Sequence, residues 1–223
     1  MTRRLLLKKS IVAALGLMLF SCGLYLIIQA NIGVAPWDVL CFGVAWTIGV
    51  KYGTASIGIS LTVVLIDVIM KEKIGLGTLI DSVVVGKTVD LLMWLDPVPM
   101  VYDNLPLSIG MLPIAFLIMG YGQYIYMKVG LCFGPRDALQ VALGRRMPKV
   151  PIGVVLTILM LIVLTAGWVL GGPVGIGTVI SPVGVGLMQQ LAFLTVKFEP
   201  KDVVHQSLFG SWKVIVEGGA SHG

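Results

Sequence analysis

Six long apolar runs separated by short polar breaks dominate the chain, at about 10–29, 53–70, 74–95, 107–127, 151–170 and 174–196. A helix needs roughly 20 apolar residues to cross the hydrocarbon layer of a bilayer, and each run approaches that length. The fifth run, Ile152 to Leu170, contains no charge, whereas the third carries Asp81, Lys87 and Asp90. Two shorter segments, 36–50 and 135–148, each open on a proline, and the second holds Arg136, Asp137, Arg145 and Arg146. Each such charge costs about 2.5 kcal/mol or more near the centre of a spanning helix. The pattern therefore predicts an all-α membrane protein with six transmembrane helices and two short, proline-led re-entrant half-helices.

Composition agrees with a lipid environment. Of the 223 residues, 57% are hydrophobic and 12% charged, about half the charge that a soluble domain carries. The net charge of +5 lies in short clusters between apolar runs, with no basic stripe of the kind that binds nucleic acid. Placing the N-terminus inside puts Lys71, Lys73, Lys128, Arg145, Arg146, Lys149, Lys197 and Lys201 on the cytoplasmic side. The loop 96–106, which has Asp96 and Asp103 but no Lys or Arg, then faces outward. Eight spans would instead put Lys71, Lys73 and Lys128 outside and the acidic loop inside, so the positive-inside rule favours six, with both termini in the cytoplasm. Arg3, Arg4, Lys8 and Lys9 precede an apolar run that continues past Cys22 to Ala30, which reads as a retained first span rather than a cleaved signal. Cys22, Cys41 and Cys132 lie far apart in apolar stretches and read as packed thiols, with no metal-ligand spacing.

The chain also repeats itself. At an offset of 99, Gly23, Tyr25, Pro36, Asp38 and Leu40 match Gly122, Tyr124, Pro135, Asp137 and Leu139. At an offset of 100, Gly75, Gly77, Thr78, Ile80, Val83, Val85 and Gly86 match Gly175, Gly177, Thr178, Ile180, Val183, Val185 and Gly186. Duplication within a single membrane domain is the expectation, with one copy over about 10–95, the other over about 107–196, and an interfacial tail at 197–223. Matched points lie three crossings apart, which inverts one copy relative to the other and gives a 3+3 inverted repeat. Inverted repeats with interrupted helices are a recurring plan of secondary transporters, whose solute site lies between the copies.

Asn31-Ile32-Gly33-Val34-Ala35-Pro36-Trp37-Asp38, Gly75-Leu76-Gly77-Thr78 and Val203-Val204-His205-Gln206-Ser207-Leu208 resemble the bacterial YczE/YitT-type membrane proteins over nearly the whole chain. The resemblance implies a bacterial inner-membrane protein and supplies no catalytic or binding residues.

The candidate pathway residues come from the two proline-led segments and the charged third span: Trp37, Asp38, Arg136, Asp137, Asp81, Lys87 and Asp90. Asp38 and Asp137, two residues after each proline, suit the positive end of a helix either as cation or proton carriers or as plain caps. Arg136, which stands where the first copy has Trp37, suits an anionic group, a partner in Asp137, or a lipid headgroup. Lys87 and Asp90 are three apart and can pair on one helix face. Asp67 stands four residues before Lys71 and reads as half of an interfacial salt bridge. Tyr121, Tyr124 and Tyr126 with Gln123 suit an interfacial belt or a pocket wall. The paired glycines suit close helix packing, and His205 lies in a tail that suits the membrane surface.

Neither an HExxH motif nor a phosphate-binding loop is present. The sequence thus favours a non-enzymatic transporter or exporter of a small solute without cofactor or metal. Its partners would be the lipid bilayer, the solute, and a second copy or another membrane protein. The competing reading is a non-transporting accessory protein that stabilises or regulates a membrane complex.

Overall fold

A computed structural model of the chain describes residues 3–72, 74–131, 134–147 and 150–199. The His205 segment and Cys132 lie outside the described residues. Among the described residues, eight α-helices run in the order α1 (Arg3–Gln29), α2 (Pro36–Ile48), α3 (Tyr52–Ile69), α4 (Leu76–Leu95), α5 (Leu105–Met127), α6 (Pro135–Arg146), α7 (Ile152–Val169) and α8 (Ile176–Thr195). Five of them, α1, α3, α5, α7 and α8, are long and apolar enough to cross a membrane. The sixth expected span, α4, has 20 residues but carries Asp81, Lys87 and Asp90. At 13 and 12 residues, α2 and α6 extend roughly 20 Å at 1.5 Å per residue and fall short of the hydrocarbon thickness. The first helix starts at Arg3, a full two turns before the apolar run, so its basic residues sit on its own N-terminal end.

The surface is that of a lipid-facing protein. On α7, the mid-helix residues Ile158, Leu161 and Ile162 are all exposed, and most of the helix surface is aliphatic. The tightly packed centre is α1 against α5, where the backbones come close enough that only glycine fits. A Cβ on Gly16 would stand 2.8 Å from the carbonyl oxygen of Gly122, and one on Gly23 would stand 2.5 Å from that of Ala115. Around this pair, α4 lies on α1 and α8 lies on α5, while α2 crosses to α7 and α6 crosses to α3. Such backbone-to-backbone contact gains dispersion energy where lipid removes the hydrophobic drive between helices.

Two hydrogen bonds tie the halves together at matching places. The amide of Gly77 donates to the carbonyl of Leu131 at 2.9 Å, and the amide of Gly177 donates to the carbonyl of Ile32 at 2.7 Å. Each joins the first turn of a long helix to the segment just before a proline-led helix in the other half. The Asn-x-Gly element makes this possible: Asn31 and Gly33 take positive φ of 54° and 98°, a conformation that suits these two residue types. In each Gly-x-Gly-Thr element the threonine hydroxyl accepts from the first glycine's amide, Gly75 to Thr78 at 3.3 Å and Gly175 to Thr178 at 3.1 Å.

One relationship differs between the halves. Helices α3 and α4 pack along each other, with Gly53 against Gly86. Helices α7 and α8 have no comparable interface.

Candidate functional site

The two proline-led helices bring their first turns together. Ala35 and Gly134 precede them in extended conformation, and neither helix start is capped by a side chain. With those amides left to the dipole alone, Asp38 and Asp137 occupy the first turns, where a negative charge is favoured. Asp38 is buried, yet its carboxylate turns to two other partners. It accepts a hydrogen bond from Tyr52 Oη at 2.9 Å and forms an ion pair with Arg136 at 3.3 Å. Arg136 therefore crosses from α6 to α2, and does not pair with Asp137.

Arg136 is held on three sides. Its guanidinium donates to Asp38 and to Cys41 Sγ at 3.4 Å, and lies 5.3 Å from the centre of the Trp37 ring. A planar cation with several donors suits a carboxylate on one edge and an aromatic face on the other. Trp37 is 8% exposed, and its indole N–H has no partner.

A cavity of about 640 Å³ opens beside these groups and is lined by Trp37, Asp38, Asp81, Arg136 and Asp137. Asp81 reaches it from α4: a point one Cβ out from Gly134 lies 2.7 Å from an Asp81 carboxylate oxygen and 3.8 Å from one of Asp137. The two ion pairs among the described residues are Arg136–Asp38 and Arg145–Glu72, so Asp81 and Asp137 belong to neither. Gln140 and Gln189 add neutral polar groups, while Phe20, Leu24, Met119, Met160 and Leu164 supply much of the remaining wall.

Five of the seven sequence candidates thus converge, and two stand apart. Lys87 is exposed on α4 and absent from the cavity wall. Asp90 accepts a hydrogen bond from the amide of Gly53 at 2.7 Å, which satisfies an orphan donor at the start of α3. The expected Lys87–Asp90 pair is not formed, because Asp90 is drawn to a helix start that lies 37 residues earlier in the chain. Nor does Asp67 pair with Lys71. Asp67 is fully buried with both carboxylate oxygens unpartnered, and Lys71 has left the helix with φ of 57°. The tyrosines divide: Tyr126 and Gln123 line the cavity, Tyr124 lies under Lys128 at 4.6 Å, and Tyr121 meets Thr195 at 3.0 Å.

Sequence reasoning missed Tyr52 and a polar cluster at the ends of α1 and α4. There Tyr25 and Gln29 hold the Asp96 carboxylate and the Val98 carbonyl. Tyr25 and Gln29 are four apart and share a helix face, which signals a joint target without saying which.

Relatives of the chain carry no assigned roles, and one of them is described as a membrane protein. It is 32% identical to an uncharacterized protein of Haemophilus influenzae over 169 residues, 74% of each chain. It is 29% identical to the uncharacterized membrane protein YczE of Bacillus subtilis over 179 residues, covering 78% of this chain and 80% of that one. It is 27% identical to the uncharacterized protein YyaS of the same organism over 169 residues, covering 75% and 83%. No solved structure matches it. A profile described as a family of unknown function, DUF6198, matches residues 7–193. With that match over most of its length, and YczE among its relatives, the chain belongs to the DUF6198 family of YczE-type membrane proteins.

Proposed function

We propose that this protein is a secondary transporter or exporter of a small solute, without enzymatic activity, and that its site is the cavity between the two proline-led helices. The observation that carries the reading is the Arg136–Asp38 ion pair between α6 and α2 at the wall of a cavity of about 640 Å³. A void of that size suits a small organic solute, and buried ionisable groups at membrane depth mark solute and ion paths. The accessory-protein role predicts a sealed interior, and this cavity weighs against it.

In this reading α4 is the sixth span, α2 and α6 are re-entrant, and the two halves cross the bilayer in opposite senses. The repeated order of a long helix, a short one and two more long ones supports duplication, as do the matched Gly77–Leu131 and Gly177–Ile32 bonds. Both termini are placed in the cytoplasm of a bacterial inner membrane by the distribution of Lys and Arg.

The test starts from metabolite profiling of a deletion strain, which selects the solute, followed by flux of that solute in proteoliposomes. Asp38→Asn and Asp137→Asn are expected to lower the flux at least tenfold at equal reconstitution. Unchanged flux in both variants would overturn the assignment.

A further inference from the structure

The charge and shape of the cavity say more about its occupant than the family does. Three carboxylates, Asp38, Asp81 and Asp137, face it with one cation, Arg136. The first turns of α2 and α6 each add about half a positive charge. Arg136 and the two helix starts thus offset about two of the three carboxylates, leaving roughly one negative charge for the occupant to meet. A second acceptor comes from α8. Pro182 has no N–H to give the carbonyl of Thr178, four residues earlier, and both residues line the cavity. Ser82 holds the place of Pro182 in the first half, and there its hydroxyl bonds the Thr78 carbonyl at 2.8 Å. The Thr178 carbonyl in the second half thus lacks its usual helical donor.

The rest of the wall is apolar, and the volume far exceeds that of a bare metal ion. The mouth is lateral as well. Leu161 on α7 and Val179 on α8 line the cavity yet are 55% and 77% exposed, because α7 and α8 do not close on each other. A guest that enters there comes from hydrocarbon. The buried, unpartnered N–H of Trp37 adds a donor for a polar atom on its body.

We propose that the cavity binds an amphipathic organic monocation, its charge held by Asp81 and Asp137 beside Gly134 and its apolar body against α1, α5 and α7, entering between α7 and α8. The proposal rests on the solute-site reading above and narrows it to one substrate class.

Equilibrium dialysis of the purified full chain against radiolabelled tetraphenylphosphonium tests it, with tetraphenylborate as the anion of the same shape and tetramethylammonium as a charge without the body. Saturable binding of about one phosphonium per chain is expected, at least tenfold weaker in Asp81→Asn and Asp137→Asn, with no saturable binding of the other two ions. Saturable borate binding, displacement of the phosphonium by millimolar sodium, or equal affinity in monodisperse Asn variants would overturn it. If those variants do not fold, Gln140→Cys on the cavity wall serves instead. Its extra maleimide labelling should fall several-fold with tetraphenylphosphonium, and no protection overturns the proposal. A chain that carries an anionic or neutral solute in proteoliposomes but fails to bind the phosphonium keeps the transporter reading and loses this one.

Discussion

The amide of Gly77 and the carbonyl of Leu131 lie 2.9 Å apart, and the glycine Cα has no room for a side chain. A Cβ there would stand 2.8 Å from the same carbonyl oxygen. Gly77→Ala must push the two halves apart, so it should destabilise the protein by about 1–3 kcal/mol, the usual cost of overpacking. Gly177→Ala, whose Cβ would meet the carbonyl of Gly33 at 2.5 Å, should cost as much. Thermal unfolding in detergent, followed by loss of the monodisperse peak, measures both.

Gly86 and Gly186 occupy the same place in the repeat but meet different surroundings. A Cβ on Gly86 would stand 2.7 Å from the carbonyl of Gly53, while one on Gly186 meets nothing within 4 Å. Gly86→Ala should lower the unfolding midpoint. Gly186→Ala should leave it unchanged or raise it, since alanine in a helix gains about 0.5–1 kcal/mol over glycine. Equal losses at the two sites would contradict the open α7–α8 side.

Arg136 and Asp38 form a buried pair whose partners are costly to strand. Arg136→Gln should cost about 3–5 kcal/mol by leaving Asp38 buried beside only the Tyr52 hydroxyl. The double variant Asp38→Asn/Arg136→Gln should recover much of that loss. Arg136→Lys should behave more like the glutamine variant, because a single ammonium cannot serve Asp38, Cys41 and the Trp37 face together. A thermodynamic cycle of unfolding midpoints reads the coupling.

Asp90 is expected to act on stability alone. Asp90→Ala removes the acceptor for the Gly53 amide and should cost about 0.5–2 kcal/mol, as lost helix caps do. Asp90→Asn keeps a carbonyl in place and should cost less. Solute flux per folded molecule should be the same in both, and in Lys87→Gln.

The proposed outward position of the acidic loop would fix the sense of the bundle. A cysteine placed at Asp103 in a chain freed of its native cysteines should react with a membrane-impermeant maleimide in intact cells. One placed at Arg145 should react only after permeabilisation. The reverse result would invert the assigned orientation.

The helix pattern was legible in the sequence because apolar runs, prolines and glycines act over a few residues. The expected span at 53–70 falls at Tyr52–Ile69, and the expected short segment at 135–148 at Pro135–Arg146. The meeting of Trp37, Asp38, Arg136 and Asp137 followed from the repeat, since duplicated proline-led elements point to a shared centre. What failed were pairings read from spacing along one helix. Lys87–Asp90 and Asp67–Lys71 both satisfy the local rule, yet Asp90 meets an amide on α3 and Lys71 sits past the helix end. Partners supplied by the fold outcompete neighbours supplied by the helix. The α7–α8 opening was hidden by the glycines, since Gly153 and Gly186 match Gly53 and Gly86, although Gln190 stands where Asp90 holds the Gly53 amide.

That last point has a mechanical side. Gly53 and Gly86 are the teeth of a zipper that is fastened, and Gly153 and Gly186 are the same teeth one hundred residues on, facing nothing within 4 Å. The second half thus keeps the teeth of the first without closing them, and the guest proposed to enter between α7 and α8 would pass where that fastener stands open.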